Sequence, residues 1–301
     1  MASKGIGPLV TYHYMVHGLT VQTNLIFPEL GVTSNGAVDL EIFVGECSKN
    51  TSCVGNAGSG IASFNIPNVG TFTIADGKHI HVDPAAGVHE QNLRLFILGS
   101  AMGLALHQRG IFALHAAAAL IDGKAVAITG RSGAGKSTIA LAFAEAGFPV
   151  LSDDVLAIRT TKDGLNASRA VRRIRLCPDA LHRFDHAPKD YPPSYVGEPE
   201  LAKHDFGIGE APEQARLVTV IELADGSAKA EQIFGADAVE LILANSFRGS
   251  MAELGQQRRD QYASAVAIAT NAEIYRLHRP RDLNRLPDLV HRIADIVRQV
   301  D

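Results

Sequence analysis

The feature that most constrains this chain is GRSGAGKS, Gly130 to Ser137, which fits the pattern G-x-x-x-x-G-K-[ST] in full. An apolar run, KAVAIT, precedes it, and STIALAFAEA follows, ending at Gly147. Strand, glycine loop and helix in that order make an α/β unit with a phosphate cradle. Gly130, Gly133 and Gly135 permit backbone conformations and close approaches that a Cβ would block, so successive N–H groups can turn inward. Lys136 places a cation on the β and γ oxygens, the Ser137 hydroxyl can ligate Mg²⁺, and the helix adds its positive end. Gly130, Arg131, Ser132, Gly133, Ala134, Gly135, Lys136, Ser137 and Thr138 are therefore read as the nucleotide-binding set, with ATP and Mg²⁺ as its ligands.

One helix later FPVLS ends in Asp153-Asp154, and VLAIR follows as a second strand. Strand-end carboxylates beside a phosphate loop usually serve Mg²⁺ directly or through water. Two adjacent ones allow one to attend to the metal while the other accepts the proton of an attacking hydroxyl. An Asp in a turn or cap is the plain alternative, but no helix follows here for the pair to cap. Upstream, FALHAAAALI and KAVAITG flank Asp122-Gly123, which predicts a hairpin with a two-residue turn. A lone histidine in an apolar strand is normally a hydrogen-bonded core residue. His115, however, lies in the strand expected to pair with the one feeding the phosphate loop.

The rest of the chain divides by period. Residues 9–83 read as strands and turns: LVTYHYMV, LTVQTNLIF, VDLEIFVG, FTIADG and HIHVD, punctuated by Gly18, Pro28, Gly31, Asn35-Gly36 and Gly70. From Gln91 the period lengthens, with Leu93, Phe96, Ile97, Ala101 and Leu104 on one face of a helix ending near Arg109-Gly110. Residues 160–215 are proline-rich and read as loops. LVTVIELADG and AEQIFG predict a further hairpin, and helices are expected over 237–247, 258–269 and 286–300. A boundary near residues 85–92 splits the chain into a small, mainly β domain, 1–88, and an α/β (α+β) domain, 89–301.

Composition narrows the partners. A net charge of −4 gives no general attraction to nucleic acid or anionic membrane, and no run of eighteen apolar residues occurs among the 301. The N-terminus has no uninterrupted apolar segment, so a cytoplasmic protein is expected. Cys47, Cys53 and Cys177 are too few for a disulfide framework, and the five residues between the first two do not suit a zinc site. Asn50-Thr51-Ser52 fits a glycosylation sequon, which has no meaning without a secretory signal.

The run LHAAAALIDGKAVAITGRSGAGKSTIALAFAEAGFPVLSDDVLAI, Leu114 to Ile158, resembles the catalytic domain of HPr kinase/phosphorylase, whose fold is related to that of phosphoenolpyruvate carboxykinase. It resembles that family in the order histidine, hairpin, phosphate loop, helix, strand and paired aspartates; the rest of 96–301 is similar more loosely. The resemblance implies a P-loop-containing, HPr kinase-like catalytic domain, with Asp153 as the base taking a serine proton and Asp154 and Ser137 on Mg²⁺. It also implies that Lys136 and the loop amides hold the phosphates and that His115 lines the site. No Arg-Gly-Leu-Gly-like strand for engaging HPr follows; FGIGEAP at 206–212 is a weak echo. YMVHGLTVQTNLIFPEL, VRRIRLCPDAL and IYRLHRPRDLNRLPDLV resemble instead stand-alone relatives, some of which accompany lasso-peptide biosynthesis.

The implied activity is ATP-dependent phosphorylation of a serine on a peptide or small protein, plausible for the C-terminal serine of a lasso precursor. The alternatives are an HPr-directed kinase or phosphorylase, a small-molecule kinase, and a nucleotide sensor without turnover. Self-association is left open. A transition state of this kind needs a further cation; Lys203 and Arg248 are the preferred candidates, ahead of Arg175.

Overall fold

The computed structural model describes residues 10–33, 36–45, 60–197, 203–227, 229–252, 256–280 and 282–300. Cys47, Cys53, the sequon at 50–52 and Asn35 of the expected turn lie outside the described residues. The protein is a mixed α/β structure with two large sheets and one small one.

The first sheet holds β1 (Tyr12–Val16), β2 (Leu19–Thr23), β3 (Gly31–Val32), β4 (Leu40–Val44), β5 (Ile61–Ile66), β6 (Gly70–Ala75) and β7 (His79–Pro84), in the order β3-β1-β2-β4-β7-β6-β5. Residues 17 and 18 join β1 to β2 with φ of 54° and 67°, a two-residue hairpin whose backbone twist suits right-twisted strands. Its apolar face is covered by one helical stretch made of α1 (Glu90–Phe96), a π-helical turn at Ile97–Ala101, and α2 (Met102–Gln108). Of the stripe that the sequence period marks, Leu93, Ile97, Ala101 and Leu104 are buried and Phe96 is half-buried.

The second sheet has nine strands. β8 (Phe112–His115), β9 (Ala117–Ile121), β10 (Lys124–Thr129), β11 (Val150–Ser152), β12 (Val155–Thr161), β13 (Gly164–Ser168) and β16 (Gln214–Asp225) form the path β11-β9-β10-β16-β13-β12-β8. β18 (Glu273–Arg279) lies parallel to β16, and β17 (Lys229–Ile233) pairs antiparallel with β18. A small ribbon of β14 (Arg173–Leu176) and β15 (His204–Gly207) stands apart. Helices α3 (Lys136–Glu145) and α7 (Leu286–Arg298) share a core with one face of the sheet; α5 (Gly235–Ala244) and α6 (Gln256–Asn271) cover the other. The short α4 (Pro178–Arg183) follows β14.

Two pairings differ from the sequence expectation. The run 217–233 does not form a hairpin, because β18 inserts between β16 and β17. Its backbone pairs with both neighbours, and Ile274 and Leu277 are buried in the cores on opposite faces of the sheet. FALHAAAALI is also two strands rather than one, broken at Ala116. β9 pairs with β10, whereas the strand that carries His115 pairs with β12. His115 is thus tied to the loop-bearing strand only through Thr129, whose hydroxyl donates to the His115 carbonyl at 2.9 Å. The proline-rich region contains β13, β14, α4 and β15, so it is less irregular than its composition suggests. The Asp122-Gly123 turn is as expected, with both residues at positive φ.

Candidate active site

The break in β8–β9 faces a second break. β11 pairs with β9, ending at Ser152 opposite Ala118, and β12 pairs with β8, starting at Val155 opposite His115. Asp153 and Asp154 fall between the two ladders, at the point where the paired chains switch neighbours. Their carboxylates are thereby brought to the mouth of the phosphate loop, which leaves β10 two strands away.

The loop itself has Gly130, Gly133 and Gly135 at φ of 134°, 78° and 89°. A Cβ on Gly135 would lie 2.6 Å from Arg279 Nη2, so that position admits only glycine without displacement of the arginine. Lys136 is buried and its Nζ donates to the carbonyls of Gly130, at 2.7 Å, and Arg131, at 3.2 Å. Burial pushes its pKa below the usual lysine value, with Lys203 adding to the effect and Asp154 and Asp153 opposing it. Anionic phosphate would add a negative partner beside the buried ammonium.

A pocket of about 320 Å³ gathers Ser132, Gly133, Gly135, Lys136, Ser137 and Thr138 from the loop. His115, Asp153, Asp154, Arg175, Leu176, Cys177, Ala180 and Lys203 complete its lining. Burial pushes the Asp153 carboxyl up to about 6; the Arg175 amide and the Ser137 side chain restrain the rise, Asp154 adds to it and the Arg175 cation opposes it. Asp153 Oδ2 accepts from the Arg175 backbone N–H at 2.7 Å. Asp154 is held below the usual carboxylate range: burial alone would raise it, but Arg175, His115 and Lys203 outweigh that. Its Oδ2 accepts from Arg175 Nη2 at 2.7 Å, and its Oδ1 lies 3.3 Å from His115 Nδ1. Environment thus separates two adjacent carboxylates into one poised near neutrality and one firmly ionised, the pattern expected of a base beside a metal or charge partner.

Magnesium fits this donor set. The Ser137 hydroxyl and the two carboxylates are hard oxygen ligands, and Mg²⁺ usually takes one or two carboxylates and completes its shell with phosphate and water oxygens. Among the described residues no cluster of three or more His, Cys, Asp or Glu side chains offers an all-protein cage. The Ser137 side chain interacts with Asp153.

A second cavity, about 730 Å³, opens beside the first and shares His115, Ser132, Asp154 and Arg175 with it. Leu95, Phe96, Gly99 and Ser100 of the helical stretch line it, facing Glu222, Asn245, Phe247 and Arg248. The Arg248 guanidinium lies 5.7 Å from the centre of the Phe247 ring, and Phe247 lies 5.6 Å from the His115 ring. Gly130 and Arg131 line this larger cavity and not the smaller one.

The candidate residues therefore distribute unevenly. Lys203 lies in the smaller pocket and Arg248 only in the larger cavity. Arg175, ranked behind both from sequence, is the cation bonded to the acid pair. Ala134 lines neither space; its carbonyl accepts from Arg279. Sequence reasoning missed Arg279, at the end of β18, and Glu222, which pairs in register with Thr129 on the neighbouring parallel strand and accepts from Arg276 at 2.7 Å. A signal for Glu222 existed in its place at the end of the apolar run LVTVIE.

Among solved structures, the chain is similar to the HPr(Ser) kinase/phosphatase from Coxiella burnetii. The match has 18% sequence identity and a TM-score of 0.33, and covers 62% of this chain and 93% of that one. No family model matches the chain, and no curated protein does. At that TM-score the overlap defines no family, and the chemistry of the site carries the functional reading.

Proposed function

We propose that the chain is an ATP-dependent kinase that transfers the γ-phosphate to a serine hydroxyl of a peptide or small protein. The observation that carries this reading is the single pocket holding a phosphate loop, a buried lysine and two carboxylates in opposite electrostatic states. A module that only senses nucleotide has no use for a carboxylate poised near neutrality at the γ-phosphate end. The larger cavity, which shares His115, Ser132, Asp154 and Arg175 with the first, is the place for the acceptor.

In this reading the serine oxygen attacks the γ-phosphorus, the bond from that phosphorus to the β–γ bridging oxygen breaks, and ADP leaves. Asp153 accepts the serine proton; it stands beside the loop and is deprotonated above about pH 6. Lys136 and the loop amides hold the phosphates, and Arg175 fixes both carboxylates and offers a further positive charge for the transferred group. His115 braces Asp154. Lys203, in the lining of the same pocket, adds a further cation. Ser137 and Asp154 would hold Mg²⁺, which when bound neutralises charge on the β and γ oxygens.

The narrowest form of the proposal takes the acceptor to be the C-terminal serine of a lasso precursor peptide. Arg131 and Arg248 in the larger cavity are cations suited to a terminal carboxylate. Incubation with ATP, Mg²⁺ and a Ser-terminated peptide should add one phosphate to that serine by mass spectrometry, and the C-terminal amide of the same peptide should react less. Transfer to HPr and not to such a peptide would replace the narrow form with the regulatory kinase. Nucleotide binding without transfer to any hydroxyl would leave a sensor.

A further inference from the structure

His17 is a residue of the first sheet that the chemistry above does not use. It sits in the β1–β2 turn in the left-handed region, φ 54°, which is uncommon for a residue with a side chain. Its backbone N–H donates to the Arg169 carbonyl at 2.9 Å, so the turn is pinned to the segment that leads into β14. The side chain is completely buried, yet neither ring nitrogen has a hydrogen-bond partner among the described residues. Asp153 Oδ1 is likewise shut off from solvent and makes no hydrogen bond of ordinary length among the described residues, although the Ser137 side chain interacts with the same carboxyl. Leaving such groups unmatched costs their full desolvation penalty, and native structures seldom leave them so.

Both residues line one small cavity of about 30 Å³, together with Asp154, Arg173, Arg175 and Leu98. That volume accommodates one water, and a water needs two to four polar partners to be held. Burial, reinforced by the Arg159 cation, pushes the His17 imidazole down to about 3. The ring is therefore neutral under ordinary conditions, with one nitrogen donating and the other accepting.

We propose that a single buried water in this cavity bridges the His17 ring and Asp153 Oδ1, making His17 a positioning residue for the active-site base. The proposal rests on the reading of Asp153 as that base. Asp153 Oδ2 is fixed by the Arg175 amide, and the water on Oδ1 fixes the second oxygen, so the carboxylate plane is set from both sides. The first sheet thereby contributes to the site through its β1–β2 turn without reaching the substrate.

The test has two arms. A crystal structure of the full chain, at a resolution that resolves ordered water, should show density within hydrogen-bond distance of both His17 and Asp153. A dry cavity, or a water bonded to only one of them, overturns the bridge whether or not the chain is a kinase. In the second arm, His17→Leu and His17→Gln are compared in phosphotransfer and in binding of Mg²⁺-ADP by calorimetry. His17→Leu should lower kcat by about 10- to 100-fold with KM for ATP and ADP affinity nearly unchanged, as a misplaced catalytic group does. His17→Gln, which keeps a donor and an acceptor near the water, should recover most of that loss. Equal losses in both variants, or none in His17→Leu, overturn the positioning role. If no acceptor or hydrolysis is ever observed, the kinase reading fails while the first arm still decides the water.

Discussion

At the scale of single residues, Asp153 couples chemistry to stability. Its carboxyl is pushed up to about 6 from an ordinary value of 3.8, chiefly by burial. A folded-state pKa raised above the unfolded one means the native state binds the proton more tightly. The associated stability is fully present below pH 3.8 and is lost as pH rises through about 6. At pH 8 the charged carboxylate therefore costs the unliganded protein on the order of 2 to 3 kcal/mol. Asp153→Asn keeps an acceptor for the Arg175 amide and removes the charge, so it should raise the Tm by a few degrees at pH 8 and by much less near pH 4. The same variant should lose phosphotransfer by at least about 10²-fold while ADP affinity by calorimetry changes little. An active variant would remove Asp153 as base. In the wild type, kcat/KM should fall with decreasing pH below about 6; a flat acid limb would say that the proton goes elsewhere.

At the scale of elements, the loop is clamped from outside by β18. Arg279 donates to the Ala134 carbonyl, and the missing Cβ of Gly135 makes room for its guanidinium. Gly135→Ala would strain a residue at φ 89° and push against that arginine at once. The expected result is an ATP Kd raised by at least about tenfold, near 1.4 kcal/mol, with the thermal transition otherwise retained. Unchanged affinity in a titration would show that the clamp is dispensable. This clamp also marks the limit of what the sequence discloses. The loop, its helix and the Asp122-Gly123 hairpin are local, with glycines and spacing that specify them without reference to the rest of the chain. The acid pair is visible because it interrupts an apolar run. Arg175 and Arg279 are brought to the site by strands whose partners lie far away in sequence, and nothing nearby distinguishes them from surface charges; Glu222 is marked only by its place at the end of the apolar run LVTVIE. The insertion of β18 between β16 and β17 is of the same kind: LVTVIELADG followed by AEQIFG reads as a hairpin until a distant segment competes for the same edge.

At the scale of the molecule, the two large sheets share a core. Phe72, Ile74 and Val82 of the first sheet belong to one apolar cluster with Leu93, Ile97, Met102 and Leu104 of the helical stretch. That cluster continues into Ala113 on β8, Val155 and Ala157 on β12, and Phe247. The helical stretch therefore presents Leu95 and Phe96 to the larger cavity while its neighbours Leu93 and Ile97 are buried with the first sheet. A boundary near residue 88 divides the chain by composition and period, but packing continues across it. The expected consequence is one cooperative unfolding transition, with calorimetric and van't Hoff enthalpies in agreement. Phe72→Ala tests it: the ring is fully buried, 4.9 Å from that of Phe64 and 6.1 Å from that of Phe96. Truncation should cost about 3 to 5 kcal/mol and move the whole transition to lower temperature. Hydrogen exchange should show the loss in β10 and β16 of the second sheet as well as in β6 and β7. Two separate transitions, or protection lost only in the first sheet, would mean that the sheets fold independently and that the turn carrying His17 is docked beside the active site rather than built with it.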